Sequence, residues 1–370
     1  MKKTLSKMVA VVLSASAVLT ATAGMAMAGE SSVAVDATSV AGKKIGLMIY
    51  STTTPWAINI IEGYETLCEA FGVETAIVEA GNPGEVMTAA ENLGAAGVDA
   101  VLCMMDGSIG DKVQEYFDSK GIYVSYTWGN YIDAEYYDAM SSSDYYAGSI
   151  SSTDYDAAYA MTQHCIDLGA DKWVFLGMPE GSGVANDQRA VGFKDCLADN
   201  GLELLSEQRT YDKVEGSQNL ITNFPDLNGF GAGLNAAKNA GGVLESSGMD
   251  QPNQVYMFCY EAAEDYVLEY FENERLHGCA DGCIGDMELA FALVVNALAG
   301  NKIADADYRM PYLIAYNAEE YQAMHELTYD GNLPFSIEEL AQYIVEINPE
   351  ADGAMFEAAC TNYSIEELSK

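Results

Sequence analysis

The sequence predicts an α/β protein with two doubly wound α/β lobes and a C-terminal helical extension. Hydrophobic runs alternate with helical patterns about every 25 residues, which is typical of strand–helix units with right-handed crossovers. This rhythm breaks over residues 127–145, which are polar, aromatic and irregular, and a second series begins at Lys172. We therefore expect a lobe boundary near residue 150.

The first strand–loop–helix unit is specified at each junction. The apolar run Ile45–Tyr50 predicts a strand, Thr54 is an N-cap residue type, and Pro55 suits the first helical position, where a missing N–H costs nothing. Apolar side chains at helical spacing follow, and Gly72 ends the pattern. Ligands sit at the carboxyl ends of parallel strands, so we expect residues 51–54 to lie at a binding site.

The same criteria predict the remaining elements. Asn82 and Glu85 provide a cap and a capping-box acid around Pro83 for the second helix, and the apolar run 98–105 is typical of a central parallel strand. The predicted strands cover 45–50, 73–79, 98–105, 122–126, 146–152, 172–177, 202–209, 229–234, 254–260, 276–284 and 312–316. The predicted helices cover 55–71, 82–97, 106–121, 155–168, 187–200, 216–224, 235–247, 261–274, 286–299, 318–326 and 337–347.

The N-terminal residues predict export. Lys2, Lys3 and Lys7 precede an apolar and small-residue run, and Ala26–Ala28 fits a small-x-small cleavage site, which together indicate a signal peptide over residues 1–28. No other stretch has the roughly 20 uninterrupted apolar residues of a membrane helix. Because Gly29 and not a cysteine stands directly after the cleavage site, and the first cysteine is Cys68, we expect a periplasmic or extracellular protein without a lipid anchor.

The strongly acidic composition argues against a nucleic-acid partner. The formal charge is -39, and without the three signal lysines the chain has 14 basic and 56 acidic residues, a net charge of -42. Binding to a phosphate backbone is driven by basic residues that release counterions, and this acidic field would repel a polyanion. We therefore expect a solvated acidic surface and no nucleic-acid partner.

The cysteines and histidines indicate neither a disulfide framework nor a catalytic or cofactor site. Most of the eight cysteines lie inside apolar patterns, which favours buried thiols. No G-x-S-x-G, H-E-x-x-H or P-loop pattern occurs, so we expect no enzyme and no cofactor. His277, Cys279, Asp281 and Cys283 are metal-ligand types, but strand alternation would place them in a row and not around a tetrahedral ion.

Several motifs together resemble a known family. Residues 45–56 resemble a first strand with a proline–aromatic loop, residues 98–102 resemble its "VDAII" strand, and residues 121–124 resemble "GIPV". The most specific match is Gln188–Phe193, which resembles "R-x-x-G-F". On these motifs residues 43–302 resemble the type I periplasmic solute-binding proteins, the ribose-binding-protein-like substrate receptors of ABC transporters.

The resemblance implies a ligand site between two lobes that are joined by a hinge. Arg189 would reach into the cleft, and Trp56 would stack on a sugar face. Thr54 replaces an asparagine of the family and Trp128 replaces its aspartate after strand four, so a pentose specificity does not transfer. Tyr260 is an alternative to Glu261. The ligand-binding residues implied in this way are Thr54, Trp56, Trp128, Asp154, Arg189, Asn235, Glu261 and Asp281.

Domain limits follow from the same resemblance. Residues 1–28 are the signal peptide and 29–42 a flexible leader. Residues 43–150 with about 283–310 are assigned to the N-terminal lobe, and residues 151–282 with 311–370 to the C-terminal lobe and its extension.

The implied function is that of an exported, monomeric solute-binding protein. It would capture a small molecule, with a sugar as the favoured class, and deliver it to the membrane permease of an ABC importer. An exported sensory receptor that presents its ligand to a membrane kinase or chemoreceptor stays open as an alternative, as does a nucleoside or amine ligand. Non-ligand roles also stay open: Thr54 as a helix cap, Trp56 as core, Trp128 as loop filler, and Arg189 as a surface residue.

Overall fold

The computed structural model describes most of the chain after the predicted signal peptide. The described residues are 39–105, 109–129, 131–234, 236–260, 262–281 and 283–370. The predicted signal peptide and the predicted site residues Asn235 and Glu261 lie outside them. Residues 39–42, the described end of the predicted leader, form a turn in which Val40 is buried.

Strands and helices alternate along most of the described chain. The strands are β1 Lys44–Ile49, β2 Glu74–Glu79, β3 Ala100–Met104, β4 Tyr123–Thr127, β5 Tyr146–Ser152, β6 Trp173–Gly177, β7 Leu204–Arg209, β8 Gly229–Ala232, β9 Tyr256–Cys259, β10 Gly278–Asp281, β11 Asp307–Met310 and β12 Leu313–Ala315. The helices are α1 Pro55–Phe71, α2 Val86–Ala95, α3 Gly110–Asp118, α4 Tyr137–Ser141, α5 Asp154–Asp167, α6 Val184–Asp199, α7 Lys213–Asn223, α8 Ala237–Ser246, α9 Tyr266–Glu272, α10 Cys283–Leu298, α11 Ala318–Thr328, α12 Ile337–Ala341, α13 Gly353–Thr361 and α14 Ile365–Leu368.

These elements form two lobes, each around its own sheet. The first sheet has the strand order β11-β5-β4-β3-β1-β2, and its paired strands are parallel. The second has the order β12-β10-β9-β8-β6-β7, in which only the pair β10–β12 is antiparallel. Two doubly wound α/β lobes with C-terminal helices confirm the predicted fold class.

Three segments carry the chain from one lobe to the other. The first runs from β5 into α5, the second from β10 into α10, and the third from β11 into β12. Helix α10 follows a strand of the second sheet but packs on β3, β4 and β5 of the first. Its residues 283–297 are all buried, which explains its nearly continuous apolar sequence. The crossings together form the hinge on which any closure of the lobes depends.

Local sequence signals place the first helix as predicted. Helix α1 begins at Pro55, and the Oγ1 of Thr54 accepts a hydrogen bond from the backbone N of Ala57 at 3.4 Å. Gly72 ends the helix with φ +65°, a left-handed conformation that glycine adopts without a steric cost. Strand β5 also has its predicted bounds.

The predicted start of the second helix is wrong. Helix α2 begins at Val86, because the residues before it close a turn instead of a capping box. Asn82 Oδ1 accepts from the backbone N of Gly84, and Glu85 Oε2 accepts from that of Gly81, each at 3.0 Å. The side chains expected to cap α2, those of Asn82 and Glu85, therefore bond to backbone groups of the turn that precedes the helix.

The other errors concern short elements and the ends of helices, such as α10, which begins at Cys283 inside the segment 276–284 that was predicted to be extended. Strand β11 was not predicted: it has four residues at the edge of its sheet and alternates buried with partly or fully exposed side chains. Helix α12 ends at Ala341 instead of residue 347, because hydrogen-bonded turns follow, and helices α13 and α14 were also missed. Helix α9 begins five residues later than predicted, at Tyr266.

The extension contacts both lobes. Helix α11 packs on β12 and α9, whereas α12 packs on α10 and α13 on β11. Assignment of residues 311–370 to a single lobe stays a prediction. All eight cysteines are buried free thiols in the structure. In the part of the chain that the structure describes, no helix has the length and apolar character needed to cross a membrane.

Glu288 on α10 is expected to make the protein less stable at alkaline pH. Its side chain is fully buried, and burial raises its pKa well above the ordinary 4.5. The folded state therefore keeps a proton that the unfolded chain releases near pH 4.5, so the free energy of unfolding falls as pH rises above that value. We expect Glu288→Gln to raise Tm at pH 8, by about 2–4 °C for each 1 kcal/mol gained, and to change it little at pH 4.

Thermal unfolding followed by circular dichroism between pH 4 and 8 tests this effect. Glu65→Gln is the matched control, because Glu65 is exposed on α1. A Tm difference between Glu288→Gln and the wild type that is the same at every pH would contradict the prediction.

Candidate functional site

A cavity of about 110 Å³ lies between the two lobes. Its walls come from residues that follow the carboxyl ends of strands, including Tyr50 after β1, Trp128 after β4 and Tyr260 after β9. This is where the topology of a doubly wound sheet favours ligand binding. The lining residues are Tyr50, Thr54, Pro55, Trp56, Trp128, Arg189, Leu234, Tyr260, Ala262, Ala263, Glu264, Ala280, Asp281, Cys283 and Tyr312.

Five of the predicted ligand residues line this cavity. They are Thr54, Trp56, Trp128, Arg189 and Asp281. Asp154 lies behind Arg189, fully buried, and does not line the cavity. Tyr260, the predicted alternative to the undescribed Glu261, is one of the lining residues. Ligand contact by each of these residues stays a prediction.

The first lobe contributes a tryptophan wall, which we define as Trp56 and Trp128. The ring centroids are 5.2 Å apart and the ring planes are tilted by 40°. Trp56 follows Pro55 in the first turn of α1, so the helix start aims it at the cleft. Thr54 both caps this helix and lines the cavity, so its capping role does not exclude contact with a ligand.

Trp128 has an unusual backbone conformation. Its φ of +69° lies in the left-handed region, which costs a bulky residue roughly 1–2 kcal/mol. The hydroxyl of Ser152 donates a hydrogen bond to the carbonyl oxygen of Trp128 and so ties the loop after β4 to the end of β5. Strain of this kind concentrates at functional sites, where the surrounding structure enforces it.

The second lobe contributes Arg189, which is only 3% exposed. Its Nε donates to Asp154 Oδ1 at 2.7 Å, and its Nη2 donates to the hydroxyl of Tyr312 at 2.8 Å. The guanidinium carbon lies 4.0 Å from the ring centroid of Tyr260, a cation–π distance. Among the described residues, Nε and Nη2 find hydrogen-bond partners and Nη1 finds none.

Charge compensation explains how this arginine stays buried. Burial lowers the pKa of Arg189, but Tyr312 and Asp154 outweigh it, so the pKa lies above the ordinary value. Burial also raises the pKa of Asp154, and the guanidinium opposes that rise. The Arg189–Asp154 pair is thus close to neutral overall. Through Arg189 the first crossing segment, at Asp154, is joined to the third, at Tyr312.

The R-x-x-G-F pattern has a packing explanation in this structure. A Cβ on Gly192 would lie 2.2 Å from the carbonyl oxygen of Tyr155, so only glycine lets α6 approach α5 this closely. Phe193 is fully buried in the core of the second lobe. The glycine and phenylalanine therefore bring α6 to the position from which Arg189 reaches Asp154.

Acceptor groups complete the second wall. The Tyr329 hydroxyl donates to the Asp281 carboxylate, and Glu264 pairs with Lys238 at 3.7 Å. Asp281 is buried and Glu264 partly exposed. Among the described residues, no group of three or more His, Cys, Asp and Glu side chains is placed to hold a metal ion.

Two aromatic lining residues were missed because of errors in element bounds. The apolar run places Tyr50 in the first strand, but β1 ends at Ile49 and leaves Tyr50 at the cavity. Tyr312 was counted in the last strand, but it lies in the crossing between β11 and β12. A prediction of the short edge strand β11 would have placed Tyr312 at the hinge.

Comparisons with known proteins agree with this architecture. A family model described as "Periplasmic binding proteins and sugar binding domain of LacI family" matches residues 42–306. No curated protein matches the chain in sequence.

Solved structures of solute-binding proteins share the fold. An ABC transporter protein from Actinobacillus succinogenes 130z with bound D-allose is 15% identical, with a TM-score of 0.65 over 76% of this chain and 99% of that one. The arabinose-transporter protein of Shewanella sp. ANA-3, bound to L-arabinofuranose, is 15% identical, with a TM-score of 0.66 over 77% and 95%. A carbohydrate-transporter protein from Agrobacterium radiobacter with D-arabinose is 16% identical, with a TM-score of 0.66 over 79% and 100%.

Proposed function

The chain belongs to the family of periplasmic binding proteins and LacI-type sugar-binding domains, and on this premise we propose that it binds a monosaccharide between its lobes. One observation carries the proposal: the tryptophan wall of the first lobe faces a cavity whose other wall presents Arg189 and Asp281. Sugar sites combine aromatic faces with a few convergent hydrogen-bonding groups, and this cavity offers both.

The chemistry of the two walls suits the two kinds of surface on a sugar ring. The C–H face of a sugar is apolar and packs on an indole, whereas its hydroxyls need donors and acceptors. Arg189 supplies a rigid donor and Asp281 an acceptor. The cavity volume of about 110 Å³ is too small for an oligosaccharide.

The related structures support a sugar ligand. The three named above were determined with D-allose, L-arabinofuranose and D-arabinose, each a single sugar. We infer that the present chain takes a ligand of the same class and, with its predicted signal peptide, delivers it to the permease of an ABC importer. Ligand would close the lobes about the three crossing segments, and the closed form would dock on the permease.

A small organic amine is a second candidate. Asp154 compensates the charge of Arg189, whereas Asp281 and Glu264 place two carboxylates at a cavity with five aromatic lining residues, Tyr50, Trp56, Trp128, Tyr260 and Tyr312. Aromatic rings with nearby carboxylates also recognise cationic ligands.

Tryptophan fluorescence offers a direct test of the ligand class. Two of the three tryptophans form the cavity wall, and Trp173 is fully buried in the second lobe. We expect a monosaccharide from a panel with D-allose, L-arabinose and D-arabinose to shift the emission, and to raise stability by about 2.7 kcal/mol at 100 times its Kd. Trp173→Phe should keep the ligand-dependent change, because it removes only the distant indole.

Each class of ligand predicts a different result. Binding of choline or adenosine, with no response to any sugar at millimolar concentration, would contradict the monosaccharide proposal.

Loss of uptake of the bound sugar after deletion of the gene would support delivery to an importer. Unchanged uptake would favour the sensory receptor.

A further inference from the structure

The C-terminal extension, residues 316–370, lies beyond the region that the family model matches, which ends at residue 306. Yet it is an ordered part of the fold and carries helices α11 to α14. Several of its side chains are fully buried, among them Met324, Leu340 and Phe356. Such burial shows that the extension packs as part of the core.

The extension bridges the two lobes outside the three crossing segments. Helix α11 lies on the second lobe, and α12 and α13 lie on the first. Between them, Asn59 Nδ2 on α1 donates to the carbonyl oxygen of Thr328, at 2.6 Å and buried. Helix α14 returns to pack on α11. An opening of the lobes would therefore have to disrupt contacts of the extension as well as bend the hinge.

The extension also supports the walls of the cavity from behind. The Tyr329 hydroxyl donates to the Asp281 carboxylate, and the Tyr321 hydroxyl donates to the carbonyl oxygen of Ala262 at 2.8 Å. Both acceptors belong to residues that line the cavity. On the other side, Asn59 lies three residues after Trp56, so the same helical turn of α1 carries the tryptophan wall and the contact with the extension.

We propose that the extension is a brace that holds the two cavity walls in their ligand-binding arrangement, with Tyr329 as the residue that positions Asp281. The part that concerns ligand affinity rests on the proposed function. The Tyr329 hydroxyl donates a charge-assisted hydrogen bond to a buried carboxylate, and such a bond helps to fix the direction in which Asp281 presents its oxygens. A brace that favours the closed arrangement also raises affinity, because apparent Kd is the intrinsic Kd divided by the fraction of competent protein.

Tyr329→Phe tests the positioning role, because it removes only a hydroxyl. We expect the Kd of the most tightly bound sugar of the panel to rise at least tenfold, with a small change in Tm. Tyr343→Phe is the matched control: it removes a hydroxyl from the same extension, but the Tyr343 ring packs on Phe335 and Phe356, which do not line the cavity. Equal Kd values for both variants would overturn the role of Tyr329.

A double-mutant cycle separates positioning from general support. If Tyr329 acts through Asp281, then Tyr329→Phe should weaken binding much less in an Asp281→Asn background than in the wild type. Additive losses would overturn the assignment of Tyr329 as a positioning residue.

Small-angle scattering of the ligand-free protein tests the brace without any sugar. We expect the double variant Asn59→Ala/Tyr329→Phe to have a larger radius of gyration than the wild type, because it loses the contact of α1 with Thr328 and also the bond that fixes the neighbouring Tyr329 to β10. Tyr329→Phe alone should give a smaller shift in the same direction. Identical radii for all three proteins would overturn the brace. If no sugar binds the wild type, the proposed function fails, and the scattering result alone decides the brace.

Discussion

Replacing Arg189 by alanine is expected to lower the free energy of unfolding by about 3–5 kcal/mol. Its guanidinium pairs with Asp154, which is completely buried, so the variant leaves a buried carboxylate without its cation. The Oδ2 of Asp154 already has no hydrogen-bond partner among the described residues, so in the variant the carboxylate would keep the Tyr312 hydroxyl, which donates to Oδ1 at 3.0 Å, but would lose its cationic partner. Urea unfolding at pH 7 measures the loss.

Arg309→Ala is the matched control for this prediction. Arg309 pairs with Asp133, but its side chain is 44% exposed, and exposed ion pairs contribute about 0–1 kcal/mol. Arg189→Met combined with Asp154→Leu should recover much of the lost stability, because it removes both charges and keeps apolar volume. A cost for Arg189→Ala no larger than that for Arg309→Ala would show that the pair is not a buried one.

Because Arg189 also pairs with Asp154, the alanine variant is not a clean test of ligand binding. Loss of binding in Arg189→Ala would not separate a missing ligand contact from a damaged hinge. Arg189→Lys keeps a positive charge beside Asp154 but loses the planar fork of donors. A folded Arg189→Lys variant with weakened sugar binding would therefore identify the guanidinium as a ligand contact.

Removing either ring of the tryptophan wall is expected to weaken sugar binding about tenfold to a hundredfold, or ~1.4–2.7 kcal/mol. For Trp56 the change is Trp56→Ala, because alanine suits the first turn of α1. For Trp128 it is Trp128→Gly, because glycine adopts φ +69° without strain. Isothermal titration calorimetry against the best sugar of the panel measures both effects.

Trp173→Phe provides the comparison, since this residue lies in the core of the second lobe. Its binding constant should match the wild type even if its Tm falls. If Trp56→Ala and Trp128→Gly bind the sugar as tightly as Trp173→Phe, the rings would be packing elements and not a ligand surface.

Local signals explain why much of the fold was predictable. The start and end of α1 depend on Thr54, Pro55 and Gly72, which act within one helical turn. The bounds of β5 follow from apolar and small residues between polar ones. Strand β11 could not be found in this way, because its partner β5 lies more than 150 residues earlier in the chain and its own four residues include the exposed Arg309.

In the candidate site, too, local motifs were predictable and long-range contacts were not. The R-x-x-G-F pattern identified Arg189 as a cleft residue, and the proline–aromatic loop identified Trp56; both line the cavity. The pairing of Arg189 with Asp154 and Tyr312 was not predicted, because these residues are 35 and 123 positions away from it. Such contacts depend on how α5, α6 and the third crossing pack together.

The sequence by itself determined the α/β class, the two lobes and the family, because hydrophobic periodicity, helix caps and short motifs are local properties of the chain. Only the tertiary structure decided that the tryptophan wall faces Arg189 across a cavity, and that the extension joins α1 to Asp281 through Thr328 and Tyr329. These contacts connect residues far apart in sequence, and they arise from the packing of whole helices and strands, which no single segment encodes.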